Sequence, residues 1–134
     1  MSDTEALLFA NEAFYRAFAD RDIEAMADIW SRAHPVSCLH PGWGPLFERS
    51  EVMSSWAAIL SSSESPDIRC QRPQARVCRD VGIVVCFERL RDALLVATNV
   101  FVREGSLWKM VHHQGGLSSV DAPPEEAPAE RAVH

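Results

Sequence analysis

The strongest constraint on this chain lies in its second half, where strand-like segments carry apolar residues on both faces. Four such segments follow one another at 67–78, 81–91, 94–104 and 106–115, with Asp80, Arg91-Asp92 and Glu104-Gly105 as turn points. Successive strand residues point to opposite sides of a sheet. Val81, Ile83, Val85 and Phe87 therefore share one side of the second long segment, and Val84, Cys86 and Leu90 share the other. Segment 94–104 repeats this, with Leu94, Val96, Val100 and Val102 against Leu95, Ala97 and Phe101. An antiparallel sheet commonly buries one face and leaves the other wet, and a few short helices can cover only one. The second face is therefore expected to meet another copy of the chain, most simply in a twofold dimer.

The first half supplies the helices. Residues 4–19 place Leu7, Phe14 and Phe18 on one helical face, and Ser2 with Glu5 has the spacing of a capping box. Ile23, Met26, Ala27 and Trp30 recur at helical spacing over 23–31, and His34-Pro35 ends that run. Val36 to His40 reads as a short strand, followed by Pro41-Gly42-Trp43-Gly44-Pro45, which suits no regular element. A third helix is predicted from about Ser50, with Val52, Met53, Trp56, Ile59 and Leu60 facing inward. Residues 1–120 are thus read as one domain, and 121–134 as an acidic Pro/Ala-rich tail.

The net charge is −6 over 134 residues, of which 47% are apolar. Residues 1–66 and the tail are acidic, whereas 67–110 carry eight bases against five acids. The seven arginines between 69 and 103 are interrupted by acids, which argues against a general nucleic-acid surface. Apolar runs are too short for a membrane helix. The start, Met1-Ser2-Asp3-Thr4-Glu5, is acidic with no apolar signal core after it, so a cytoplasmic location is expected. Cys38, Cys70, Cys78 and Cys86 form no C-x-x-C pair. The fragments Cys38-Leu39-His40 and His112-His113 lack regular ligand spacing, and no metal or organic cofactor is expected.

Several stretches resemble the SnoaL-like, nuclear transport factor 2-like superfamily, which has a ketosteroid-isomerase-like fold. Asn11-Glu12-Ala13-Phe14-Tyr15-Arg16-Ala17-Phe18, then Arg21-Asp22-Ile23-Glu24-Ala25-Met26 and Trp30, look like its first two helices. Thr98-Asn99-Val100-Phe101-Val102-Arg103 and Gly105-Ser106-Leu107-Trp108-Lys109-Met110-Val111-His112-His113 look like its last hairpin. His40-Pro41-Gly42-Trp43 is similar to a small bacterial subgroup. The resemblance implies an α+β fold, a cone in which N-terminal helices pack on a curved antiparallel sheet around a pocket open at one end.

It also implies a site. Tyr15 falls at the position of the isomerases' oxyanion-binding tyrosine, His40 at that of the aspartate base, and Asn99 at that of a protonated aspartic acid. Such a set could move a proton beside a carbonyl, with imidazole as base and hydroxyl and amide as donors. The alternatives are a buried Tyr15 with a satisfied hydroxyl and a His40 that caps its turn. A buried amide must find partners, which favours a pocket role for Asn99. Trp30, Trp43, Trp56, Phe101, His112 and His113 are the candidate pocket wall, with Trp43 at the mouth. Adjacent strand residues face opposite sides, so only one of His112 and His113 can enter, and a bulge at the Glu104-Gly105 turn would reverse which. Two functions are expected from this reading. One is a cofactor-independent isomerase-, cyclase- or dehydratase-like enzyme acting on a small apolar carbonyl compound. The other is a noncatalytic dimeric ligand-binding or association module.

Overall fold

A computed structural model of the chain describes residues 1–120, and the expected acidic tail lies outside the described residues. Helix α1 spans Asp3–Ala19 and opens with the expected capping box. The Ser2 hydroxyl accepts from the Glu5 N–H at 3.1 Å, and the Glu5 carboxylate accepts from the Ser2 N–H at 3.3 Å. Helix α2 spans Ile23–Ile29, capped by the Asp22 carboxylate on the Ala25 N–H at 3.0 Å. It ends earlier than its apolar spacing predicts because Trp30 turns extended and bridges Met110 of the sheet. Strand β1 is Ser37–Leu39 and helix α3 is Arg49–Ser61. The Arg49 guanidinium donates to the carbonyls of Ala27, Trp30 and Ser31, which ties the start of α3 to the open end of α2.

The sheet continues with β2 (Arg69–Cys78), β3 (Val81–Arg89), β4 (Leu94–Glu104) and β5 (Leu107–Leu117). Its order is β1-β5-β4-β3-β2. The four long strands form the predicted antiparallel meander, but β1 runs parallel to β5, so the sheet as a whole is mixed. Two irregularities shape it. In β2 the register slips between Gln71 and Gln74, where Pro73 could not donate to a ladder and Arg72 adopts φ 56°. In β5 Val100 faces His112 while Phe101 faces Met110, which leaves Val111 as an extra residue.

The helices cover one face. Leu7, Phe14 and Phe18 of α1, Met26 of α2, Val52, Trp56 and Leu60 of α3, and Val84, Cys86, Ala97, Phe101 and Met110 of the sheet make a single core. On the opposite face Val81, Ile83, Val85 and Val96 stay exposed within one chain, so the two-faced apolar pattern is a property of the folded sheet. Among the described residues no helix is long and apolar enough to cross a membrane.

Helix α1 lies close on β3 because Gly82 has no side chain. A Cβ there would sit 2.6 Å from Leu7 Cδ1. Gly82→Ala is expected to lower the unfolding free energy by about 1–3 kcal/mol through overpacking. Because the clash is with Leu7, the double change Gly82→Ala with Leu7→Ala should cost less than the sum of the single changes in urea titrations. Strict additivity would show that the two positions do not touch in solution.

Candidate functional site

A cavity of about 620 Å³ opens at one end of the helix–sheet interface, within the usual range for small-molecule pockets. Phe18 of α1, Trp56 and Ile59 of α3, and Leu90, Leu95 and Leu117 from the sheet region form much of its wall. The loop after β1 closes one side through His40, Pro41, Gly42 and Trp43. That loop turns back through the Trp43 N–H, which donates to the His40 carbonyl at 2.9 Å, with Gly42 at φ 83°. Three ionisable side chains line the apolar wall, namely Glu88, His40 and His113.

Glu88 is the residue that the sequence reading missed. It is 2% exposed, on the inward side of β3 with Val84 and Cys86. The Tyr15 hydroxyl donates to Glu88 Oε2 at 2.5 Å. Tyr15 in turn accepts from Asn99 Nδ2 at 3.1 Å, and its oxygen lies 3.2 Å from the Cys86 thiol. The second N–H of Asn99 goes to Asn11 Oδ1 at 2.9 Å, and Asn99 Oδ1 accepts from His113 Nδ1 at 2.5 Å. That bond places the His113 proton on Nδ1, so Nε2 carries the lone pair, 4.0 Å from Glu88 Oε2. The three side chains Tyr15, Asn99 and Glu88 thus form one satisfied network spanning α1, β4 and β3. Gly115 gives the carboxylate room, since a Cβ there would lie 3.3 Å from Glu88 Oε1.

Burial sets the charge states. It pushes the Glu88 carboxyl up to about 7, with the Tyr15 hydrogen bond opposing. It pulls His40 down to about 4. His113 falls to about 3, through burial first and then the neighbouring His40 and His112. Burial and the Glu88 carboxylate hold the Tyr15 hydroxyl well above its ordinary range. Both imidazoles are therefore neutral at neutral pH, and the His113–Glu88 proximity is not an ion pair. Of these four groups, Glu88 is the one that titrates near neutral pH.

The structure brings Tyr15 and Asn99 together, as their expected shared role requires, but beneath the cavity wall, where neither lines it. Their protons point into the network. His40 reaches the cavity and does not use its ring to cap the turn. Its Nε2 lies 2.8 Å from Ser55 Oγ, and the Ser55 hydroxyl donates to the Val52 carbonyl at 2.6 Å, so His40 is the donor and its Nδ1 is an acceptor, 4.0 Å from the Cys38 thiol. Trp43 stands half-exposed at the mouth and Trp56 forms wall. Trp30 and Phe101 are fully buried in the core, away from the lining. The extra residue Val111 reverses the alternation of β5, turning His113 inward and His112 outward onto Ser37 Oγ at 2.6 Å. Among the described residues no group of three or more His, Cys, Asp or Glu side chains is placed to hold a metal ion.

The signal for Glu88 was present in the strand pattern. Positions 84, 86, 88 and 90 share one face, and the acid at 88 occupies an inward position. Its raised proton affinity has a stability consequence with a definite sign. Between its unfolded value of about 4.5 and its folded value of about 7, the native state binds the extra proton, so stability falls as pH rises. The two imidazoles act oppositely, losing stability as pH falls below their unfolded value. The stability difference between the wild type and Glu88→Gln should therefore shift against the wild type by about 3 kcal/mol from pH 4.5 to 7. Parallel denaturant titrations measure it, and a difference independent of pH would place Glu88 in water.

Residues 8–120 match the SnoaL-like domain family. The fold matches a candidate dehydratase of the NTF2-like family from Streptomyces avermitilis, with 33% identity and a TM-score of 0.80, covering 88% of this chain and 97% of that one. It also matches a candidate calcium/calmodulin-dependent protein kinase type II association domain from Thiobacillus denitrificans, with 28% identity and a TM-score of 0.74, covering 82% and 93%. The F-box protein SKIP8 of Arabidopsis thaliana is 28% identical over 121 residues, 88% of this chain, which spans about half (52%) of that relative's length. The match over residues 8–120 and the helix-on-sheet architecture agree: this chain belongs to the SnoaL-like domain family, within the NTF2-like proteins.

Proposed function

We propose that the cavity is the active site of a cofactor-independent enzyme that moves a proton on a small, largely apolar carbonyl compound. One observation carries this reading: a carboxyl group lines an apolar cavity and is held near pH 7 by its burial. A proton carrier works best when its proton affinity lies near the working pH, since both of its states are then populated. Ionised, Glu88 takes a proton from a carbon beside the carbonyl. Protonated, it returns one or donates a hydrogen bond to the carbonyl oxygen. His40 is a neutral imidazole on the same wall, with Nε2–H held by Ser55 and Nδ1 beside the Cys38 thiol. Tyr15 and Asn99 act as positioning residues in this scheme, because their hydrogen bonds fix the carboxyl and orient the His113 ring. The 33% identity to a candidate dehydratase supports the same general chemistry.

The second reading is a noncatalytic dimeric association module. Its support is the exposed row of Val81, Ile83, Val85 and Val96, together with the likeness to an association domain. A dimer through this face is compatible with either function.

Solvent-deuterium incorporation beside the carbonyl of a ketone retained by the protein, followed by NMR, tests the enzyme. The wild type should exchange with a rate inflecting near pH 7, and Glu88→Gln should slow it by about 10²–10⁴-fold. Exchange at the wild-type rate in that variant would end the proposal. For the dimer, light scattering should give twice the chain mass at micromolar concentration, and Val85→Arg should give the monomer. A wild-type monomer would remove the outer face as an interface.

A further inference from the structure

The polar side chains at the floor of this cavity and just behind it can be assigned as donors or acceptors from the bonds they make. The Tyr15 hydroxyl proton is engaged by Glu88, and both amide protons of Asn99 by Asn11 and Tyr15. The Nδ1 proton of His113 is engaged by Asn99, and the Nε2 proton of His40 by Ser55. The Trp56 indole N–H has no partner but is enclosed by protein. Side by side in the lining stand two acceptors, the Glu88 carboxylate and His113 Nε2, while the indole N–H of Trp43 at the mouth is a donor. No Arg or Lys is among the lining residues. The one charge the cavity can hold is negative, with apolar and aromatic side chains around it.

We propose that the cavity receives a lipophilic primary ammonium compound, its charged group seated between Glu88 Oε2 and His113 Nε2 and its apolar body against Phe18, Trp43 and Trp56. Two acceptors 4.0 Å apart suit a single ammonium, whose N–H bonds diverge by roughly a right angle or a little more. A buried carboxylate that lacks a cation is costly, and a ligand cation supplies the partner the protein does not. The aromatic wall favours an alkylammonium over a hydrated metal ion. An anionic group at that position, by contrast, would face the Glu88 carboxylate and a neutral imidazole acceptor. This inference rests on the reading of the cavity as a small-molecule site and not on turnover. The ammonium competes with the proton for Glu88 and is held by the ionised carboxylate.

The titratable groups around Glu88 reinforce this. Tyr15 of α1, Cys38 of β1, Cys70 of β2, Cys86 of β3, His40 and His113 face it or its neighbours. Burial holds Tyr15 and Cys38 protonated and the two imidazoles neutral, and the hydrogen bond with Cys70, then burial, holds the Cys86 thiol protonated. None of them supplies a positive charge.

Calorimetric titration of the wild type with 2-phenylethylamine, 2-phenylethanol and phenylacetate tests the assignment. The amine stays protonated from pH 5.5 to 8.5. Its affinity should rise at least about tenfold over that range, and at pH 6 its binding should release close to one proton, read from buffers of different ionisation enthalpy. It should bind about tenfold or more tightly than the alcohol at pH 8.5, with the carboxylate weakest. Glu88→Gln, checked for folding by its thermal transition, should lose that advantage and keep alcohol binding within about threefold. If the alcohol binds the wild type as well as the amine, or Glu88→Gln leaves amine affinity unchanged, the ammonium assignment falls while the cavity remains a ligand site. If none of the three binds, both fall.

Discussion

Removing a carboxyl group from water near the end of β3, on the inner face of the sheet, is the constraint around which that face is arranged. An ionised carboxylate in an apolar setting is costly unless it is bonded, and the alternative is to keep its proton. The structure does part of each. Tyr15 provides one short hydrogen bond, which favours the ionised form, while burial favours the neutral one. The balance leaves the group near pH 7. Tyr15 can serve only if its own oxygen is held, and Asn99 holds it. Asn99 in turn needs an acceptor for its other N–H and a donor for its oxygen, which explains Asn11 and His113. Four polar residues buried in three separate elements thus have one cause.

The second requirement is that β5 bring a histidine to this place. With unbroken alternation from Trp108 and Met110, His112 would face inward and His113 outward. The extra residue Val111 reverses this. Two positions on, Gly115 is the inward residue beside Glu88, and a side chain there would crowd the carboxylate and Pro41. The bulge and the glycine together let a ring and a carboxyl share the space at the cavity floor. The parallel pairing of β1 with β5, Cys38 opposite His113, then places His40 on the same wall.

Much of the fold was legible because its signals are local. Ser2 with Glu5 marks the start of α1, and the alternation over 81–89 and 94–104 marks two-faced strands. Features set by distant partners were not. Trp30 continues the helical spacing of α2, yet a bridge to Met110 takes it out of the helix. No Gly or Pro marks the bulge at Val111, so nothing nearby in the chain shows that His113 turns inward. The resemblance pointed to Tyr15, His40 and Asn99, and the first and last do meet. Glu88 was passed over because it stands in Phe87-Glu88-Arg89-Leu90-Arg91, which reads locally as the charged end of a strand. Its inward parity carries the information, and parity is informative only once the apolar outer face is taken as seriously as the inner one.

That outer face bears on the chemistry of the inner one. Phe87 and Val85 point outward from the same stretch of β3 that carries Cys86 and Glu88 inward, and Val96 and Val100 do so beside Ala97 and Asn99 of β4. A strand is one residue thick, so a surface packed against Val85 and Val96 also fixes the backbone that aims Glu88 and Asn99. With the face in water, β3 and β4 are held by their neighbouring strands and by the helices on the inner face only. A partner on that face would narrow the fluctuation of the Tyr15–Glu88 distance, and a hydrogen bond of 2.5 Å weakens steeply when stretched. Since that bond is what opposes burial in setting the proton affinity of Glu88, covering the outer face would lower that affinity, and exposing it would raise it.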